Sequence, residues 1–229
     1  MPALVARKLA VPILWLRMRE AVEGLPVRLR RLGRQLWAFC PYRLAWWTDT
    51  AWLLADVLAL AELYETAAGL LKWRTRPLSA AERQALEQVY GQALRYDRIR
   101  IDERAWIGPP QLRICYVSFF TINSWGPMPL PLLVHEAAHV WQYQRWGAAY
   151  IPRALRAQRS REGYNYGGPW KVRQEALRGA LLTDFNAEQQ ADLLEDYYRL
   201  LHQLPLQWGP GGPADLPYYQ YFADQAKDI

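Results

Sequence analysis

The stretch Pro131-Leu-Leu-Val-His-Glu-Ala-Ala-His-Val-Trp-Gln-Tyr-Gln-Arg-Trp146 decides how the rest of this chain is read. It contains H-E-x-x-H at His135, Glu136 and His139. On a helix, residues four apart share a face, with Cβ atoms about 5–6 Å apart. Two imidazoles at that separation can grip one zinc ion, and the intervening glutamate then stands beside a bound water. Pro131 suits a first helical turn, Gly147 a stop, and Val134, Ala138 and Trp141 form an apolar stripe that seats the helix in a core. Two histidines so spaced also occur as plain core or surface residues. Here, however, the chain holds three histidines and two of them fall into the pattern.

A catalytic zinc site takes three protein ligands and keeps a fourth position for water. A third ligand is offered downstream, in Asp184-Phe-Asn-Ala-Glu-Gln-Gln-Ala-Asp-Leu-Leu-Glu-Asp-Tyr-Tyr198. Asn186 can N-cap a helix with Gln189 as its capping-box partner. Glu188 then falls in the first turn and Asp192 one turn later on the same face.

H-E-x-x-H followed by E-x-x-x-D resembles the thermolysin-type zinc metallopeptidases, the gluzincins. The strings H-E-x-x-H-x-W-Q and F-N-x-E-Q-Q-A-D are also similar to uncharacterised bacterial gluzincin-like domains, some encoded near phage-tail-like injection systems. The likeness spans about residues 78–200. It implies a zincin fold in which Zn²⁺ is held by His135, His139 and Glu188. Glu136 would be the general base, and Asp192 would orient a zinc-bound histidine from behind. Tyr164 or Tyr166, in the loop Arg161-Glu-Gly-Tyr-Asn-Tyr-Gly-Gly-Pro169, would take the role such enzymes give to a Tyr or His, donating to a developing oxyanion.

Composition bounds the remainder. With 229 residues, 52% hydrophobic and 22% charged, the chain has room for one core and an appendage. Twelve tryptophans and fourteen tyrosines require burial or contact surface. Residues 1–45 hold nine basic and two acidic residues, a balance of +7, leaving nineteen and twenty, or −1. The excess charge behind the overall +6 therefore belongs to the N-terminal segment and gives no support for nucleic-acid binding by the motif-bearing part. Two cysteines are too few for a disulfide framework and fit a reducing, cytoplasmic setting.

The N-terminal 74 residues read as a basic, aromatic helical extension. Arg7 and Lys8 precede an apolar run that Pro12 should break, and no cleavage site follows. Residues 27–38 alternate basic and apolar groups at helical spacing. That pattern suits a peripheral membrane contact, a protein partner for residues 1–45, or a helix packed on its own chain. A single helix is expected over 50–72, with Asp56, Glu62 and Glu65 facing solvent. Ser79-Ala-Ala-Glu82 opens another helix through Tyr90. Arg98–Asp102 and Leu112–Ile122 read as strands around a Gly108-Pro-Pro110 turn; the resemblance to zincins implies that the second would line the cleft as the edge on which extended peptide adds. A helix over 171–183 leads into that of Glu188, and His202, well beyond Glu188, has a structural or solvent-facing place. The residues after 204, Gly/Pro-rich then aromatic, form a tail that either folds back or docks elsewhere.

The expected architecture is thus α+β: an N-terminal extension (1–74), a mostly helical zincin-like domain with a small sheet (75–204) and a tail (205–229). The expected function is zinc-dependent peptide hydrolysis on a peptide or protein substrate. The alternative is a zinc-stabilised, non-catalytic component of a bacterial secretion or injection apparatus.

Overall fold

A computed structural model describes residues 2–72, 75–105 and 115–227. The chain is mostly helical with a small mixed sheet, an α+β composition. It forms two compact units, residues 1–74 with 146–152, and residues 75–145 with 153–229. Among the described residues no helix is long and apolar enough to cross a membrane.

The first unit packs α1 (Pro2–Trp37) against α2 (Leu44–Val57) and α3 (Leu60–Leu71). The expected break at Pro12 does not occur, and α1 runs through Pro12 and Pro26. Each proline forfeits one backbone bond, and the flanking turns keep theirs. The single helix expected over 50–72 is two helices, parted at Ala59, which takes a left-handed φ of 56°. That conformation costs a non-glycine residue about 1–2 kcal/mol.

The acids of this segment are also not where the pattern placed them. Asp56, Glu62 and Glu65 are buried. Arg28 of α1 donates to Glu62 through both terminal nitrogens and to the Asp56 carbonyl at 2.8 Å, while Arg31 stands 3.8 Å from the Asp56 carboxylate. Buried carboxylates need such cations, since burial alone drives Asp56 toward its neutral form. Leu32, Leu53 and Ala149 fill the space beside them. Two arginines of the basic segment therefore face inward on this chain.

In the second unit, β1 (Arg76–Pro77), β2 (Arg100–Asp102), β3 (Tyr116–Ser118) and β4 (Thr121–Asn123) form a sheet of order β1-β2-β4-β3. Strands β2 and β4 are parallel, and the other pairs antiparallel. The one long strand expected over 112–122 is instead, in its described part, the β3–β4 hairpin. Phe119, with φ of 59°, makes the turn between them. Phe119 and Phe120 are both buried, Phe119 5.1 Å and Phe120 5.3 Å from the Tyr143 ring, so turning lets adjacent aromatics reach one core. Positions 112–114 and the Gly108-Pro-Pro110 turn lie outside the described residues.

Helix α4 (Ala80–Tyr90) begins on the expected Ser79–Glu82 capping box. Helix α5 (Leu130–Trp146) carries the H-E-x-x-H motif, and α8 (Ala187–Leu201) carries Glu188. Between them lie α6 (Tyr150–Gln158) and α7 (Gly168–Leu177), the latter shorter than the helix expected over 171–183. It ends before Gly179 (φ 73°), and a 3-10 turn at Leu182–Asp184 follows. The C-terminal residues fold back as α9 (Leu216–Lys227) against α4, α7 and α8. Tyr219 and Phe222 are fully buried, and Trp141 of α5 donates to the Ala226 carbonyl at 2.8 Å. The tail thereby closes the core behind the motif helix.

Candidate metal centre

Helix α5 is held by Leu133, Val134, Ala137, Ala138 and Trp141, each at most 1% exposed, so its remaining face is fixed. That face presents His135, Glu136 and His139, all buried. Across from it, α8 starts where its capping residues dictate. Asn186 Oδ1 accepts from the Glu188 and Gln189 N–H groups, both at 2.9 Å, and Gln189 reaches back to the Asn186 N–H. The same two side chains hold the 160s loop. Asn186 donates to the Gly163 carbonyl at 2.9 Å and Gln189 to the Asn165 carbonyl at 2.8 Å. Local capping thus positions Glu188 and the Tyr164 loop together.

Glu188 Oε2 lies 3.4 Å from Nε2 of His135 and 3.4 Å from Nε2 of His139. All three donors lie within 4.8 Å of one another. A tetrahedral zinc ion with ligands about 2.0–2.1 Å away spaces its donors about 3.3–3.4 Å apart. Glu188 Oε1 is engaged by the Gln158 side-chain amide at 2.9 Å, whereas Oε2 is buried with no hydrogen-bond partner. A buried carboxylate oxygen without a partner is costly, and a cation between the three donors would satisfy it. On this test the residues fit a metal ion.

Behind the donors, each imidazole is held through Nδ1. Asp192 Oδ1 lies 2.7 Å from His135 Nδ1, and Glu195 3.7 Å from it. The other Asp192 oxygen accepts from the Trp208 indole at 2.6 Å. His139 Nδ1 lies 2.9 Å from Gln142 Oε1. A second group of potential donors, His135 with Asp192 and Glu195, uses the back of the same ring. There Asp192 already engages His135 Nδ1, and Arg199 at 2.7 Å and Gln207 at 3.1 Å hold the other Glu195 oxygen, Oε1, so the His135–His139–Glu188 group is the better candidate.

The electrostatics agree. Burial opposes a charged His135, but the Asp192 and Glu188 carboxylates beside it outweigh burial and raise its pKa well above the usual imidazole range. Burial likewise opposes a charged His139, and the Glu188 carboxylate outweighs it. Burial would raise Glu188, yet the His139 and His135 imidazoles hold it down to about 2. Burial raises Glu136, which sits among carboxylates. A pocket that pulls positive charge onto its imidazoles is short of a cation.

The other residues singled out in the sequence are divided. The Tyr164 ring lies 5.9 Å from that of His135, and burial keeps its hydroxyl protonated by raising its pKa. Tyr166 is turned away from the cluster: its hydroxyl donates to Asp196 and lies 2.8 Å from that of Tyr219. His202 is exposed, 2.8 Å from Gln88 Oε1, and outside the cluster. Sequence reasoning missed Gln142, Gln158, Glu195 and Trp208. Gln142, three residues after His139, and Glu195, three after Asp192, carried a helical-spacing signal; Gln158 and Trp208 carried none.

Fold and site together define an α+β chain with a buried His/Glu cluster that could hold a metal ion. In an alignment of 135 positions that covers 54% of the chain, it is 28% identical to the type VI secretion system spike protein VgrG2b of Pseudomonas aeruginosa. It spans 13% of that protein. No family model and no solved structure matches the chain.

Proposed function

We propose that the chain is a zinc-dependent peptide-bond hydrolase of gluzincin type. The observation that carries this reading is the partnerless Glu188 Oε2, 3.4 Å from the facing nitrogens of both motif histidines. His135, His139 and Glu188 would hold the ion, which when bound acidifies a water and polarises the scissile carbonyl. Glu136, its carboxylate made more basic by burial, takes the water's proton and passes it to the leaving amine. Tyr164, with its hydroxyl kept protonated, is the tyrosine suited to donate to the developing oxyanion. Asp192 holds the proton on His135 Nδ1, leaving Nε2 as the donor.

The likeness to a secretion spike favours a second reading, a zinc-stabilised component of such an apparatus without catalysis. One experiment separates the two. Purified protein should contain one zinc per chain and cleave members of a broad peptide library. Glu136→Gln should keep the zinc and lose about 10²–10⁴-fold in rate, because a neutral amide cannot accept the water's proton. Zinc without cleavage by either form would favour the structural reading, and parent-level cleavage by Glu136→Gln would remove Glu136 as the base.

A further inference from the structure

We infer that Gln142 is a positioning residue that fixes the proton of His139 on Nδ1, and that backbone carbonyls at the start of α8 set the direction of Gln142. This inference rests on the metal-centre reading above. The two histidines are supported by chemically different groups. Behind His135 stands Asp192, whose carboxylate oxygen 2.7 Å away serves as the acceptor and places the His135 proton on Nδ1. Behind His139 stands a carboxamide, which accepts through oxygen and donates through nitrogen. Facing the ring by its nitrogen, it would demand a lone pair on Nδ1 and drive the proton to Nε2, where it would block metal binding.

The structure removes that choice. Gln142 Nε2 lies 2.8 Å from the Ala187 carbonyl oxygen and 3.2 Å from Gln190 Oε1. A backbone carbonyl has no proton to give, so the amide's NH₂ must face it and its oxygen must face His139. Gln190 is directed the same way: its Nε2 donates to the Phe185 carbonyl at 2.8 Å, leaving Oε1 toward Gln142. Gln142 and Gln190 are both at most 1% exposed, so water does not compete for these bonds. The direction of every proton from Phe185 to His139 thus follows from two peptide carbonyls on either side of the Asn186 cap. The turn that supplies Glu188 also orients the second histidine. A neutral support further spares a cluster already holding Glu136, Glu188, Asp192 and Glu195 another negative charge.

The test reads the tautomer directly. In metal-free protein, at a pH above both imidazole titrations, long-range ¹⁵N–¹H correlation should show His139 as the Nδ1–H form. An Nε2–H form in the wild type would overturn the inference, whether or not Gln142 variants fold. A chain that takes up no zinc yet shows Nδ1–H at His139 would defeat the metal reading and leave the relay standing. Gln142→Met, which keeps length but neither accepts nor donates, should mix the His139 tautomers and weaken zinc binding by about 10–100-fold. Gln190→Met should act in the same direction by less than about tenfold, because the bond to Ala187 remains. A purely structural role would lower the melting temperature while leaving His139 tautomer and zinc affinity unchanged, and that outcome would also overturn the inference.

Discussion

Two buried clusters of charged side chains, one in each unit, make opposite use of similar material. In the first unit Asp56 and Glu62 meet Arg28 and Arg31, whose guanidinium groups stay protonated under all ordinary conditions. Asp56 Oδ2 makes no hydrogen bond, yet it still faces Arg31 at 3.8 Å. In the second unit Glu188 Oε2 faces two imidazoles, which carry charge only when protonated. Of the acids around His135, Glu195 is held by Arg199 at 2.7 Å. A buried acid cluster that brings its own permanent cations is a stable joint. One that leaves an oxygen aimed at two neutral-capable nitrogens could hold a cation from outside.

The sharpest way to break this contrast is to remove the aimed oxygen. Glu188→Ala should abolish stoichiometric zinc, with affinity falling by more than the roughly 100-fold that loss of a mere supporting group produces. Metal analysis after dialysis checks it, and full zinc retention would reopen the search for a third ligand. The matching change in the first unit is Arg28→Met, which strands Glu62. Breaking a buried pair from one side costs about 3–5 kcal/mol, whereas replacing both partners with apolar groups is often neutral. Urea denaturation should therefore show Arg28→Met strongly destabilised, the Arg28→Met/Glu62→Leu pair largely restored, and zinc content unchanged in both. Equal stability of wild type and Arg28→Met would mean the joint is not what holds α1 to α3.

A smaller effect is expected from Asp192→Ala, which leaves all three donors but frees the His135 ring. Zinc affinity should weaken by about 10–100-fold in competition titrations. An unchanged affinity would separate Asp192 from the site. The smallest effect belongs to a partly exposed counterpart of both clusters, where Arg76 bonds Glu82 at 2.7 and 2.8 Å. Arg76 holds the Glu82 carboxyl at about 2, below its ordinary 4.5. A carboxyl depressed on folding contributes stability that is present above about 4.5 and lost as pH falls toward 2. The stability difference between wild type and Glu82→Gln should thus be constant above that window and vanish through it. A difference that grows as pH falls would contradict the assignment.

What the sequence determined by itself is what depends on neighbours along the chain. The spacing of His135, Glu136 and His139, the start of α8 at Asn186, and the capping of α4 by Ser79 and Glu82 all follow from helical repeat and capping geometry. These signals were enough to place Glu188 and Asp192 on one face. Tertiary structure decided everything that needed a partner from elsewhere. The stripe over 50–72 matched one helix, and nothing local announced that Arg28 would draw Glu62 inward or that the chain would break at Ala59. Alternation over 112–122 read as one strand, although packing on Tyr143 turned Phe119 and Phe120 into a hairpin. Gln158 at Glu188 and Trp208 at Asp192 were illegible because a hydrogen bond between distant residues leaves no periodic trace. Burial follows hydrophobic period only where side chains are apolar. A buried charge is placed by the one group that neutralises it, and only the folded chain says where that group stands.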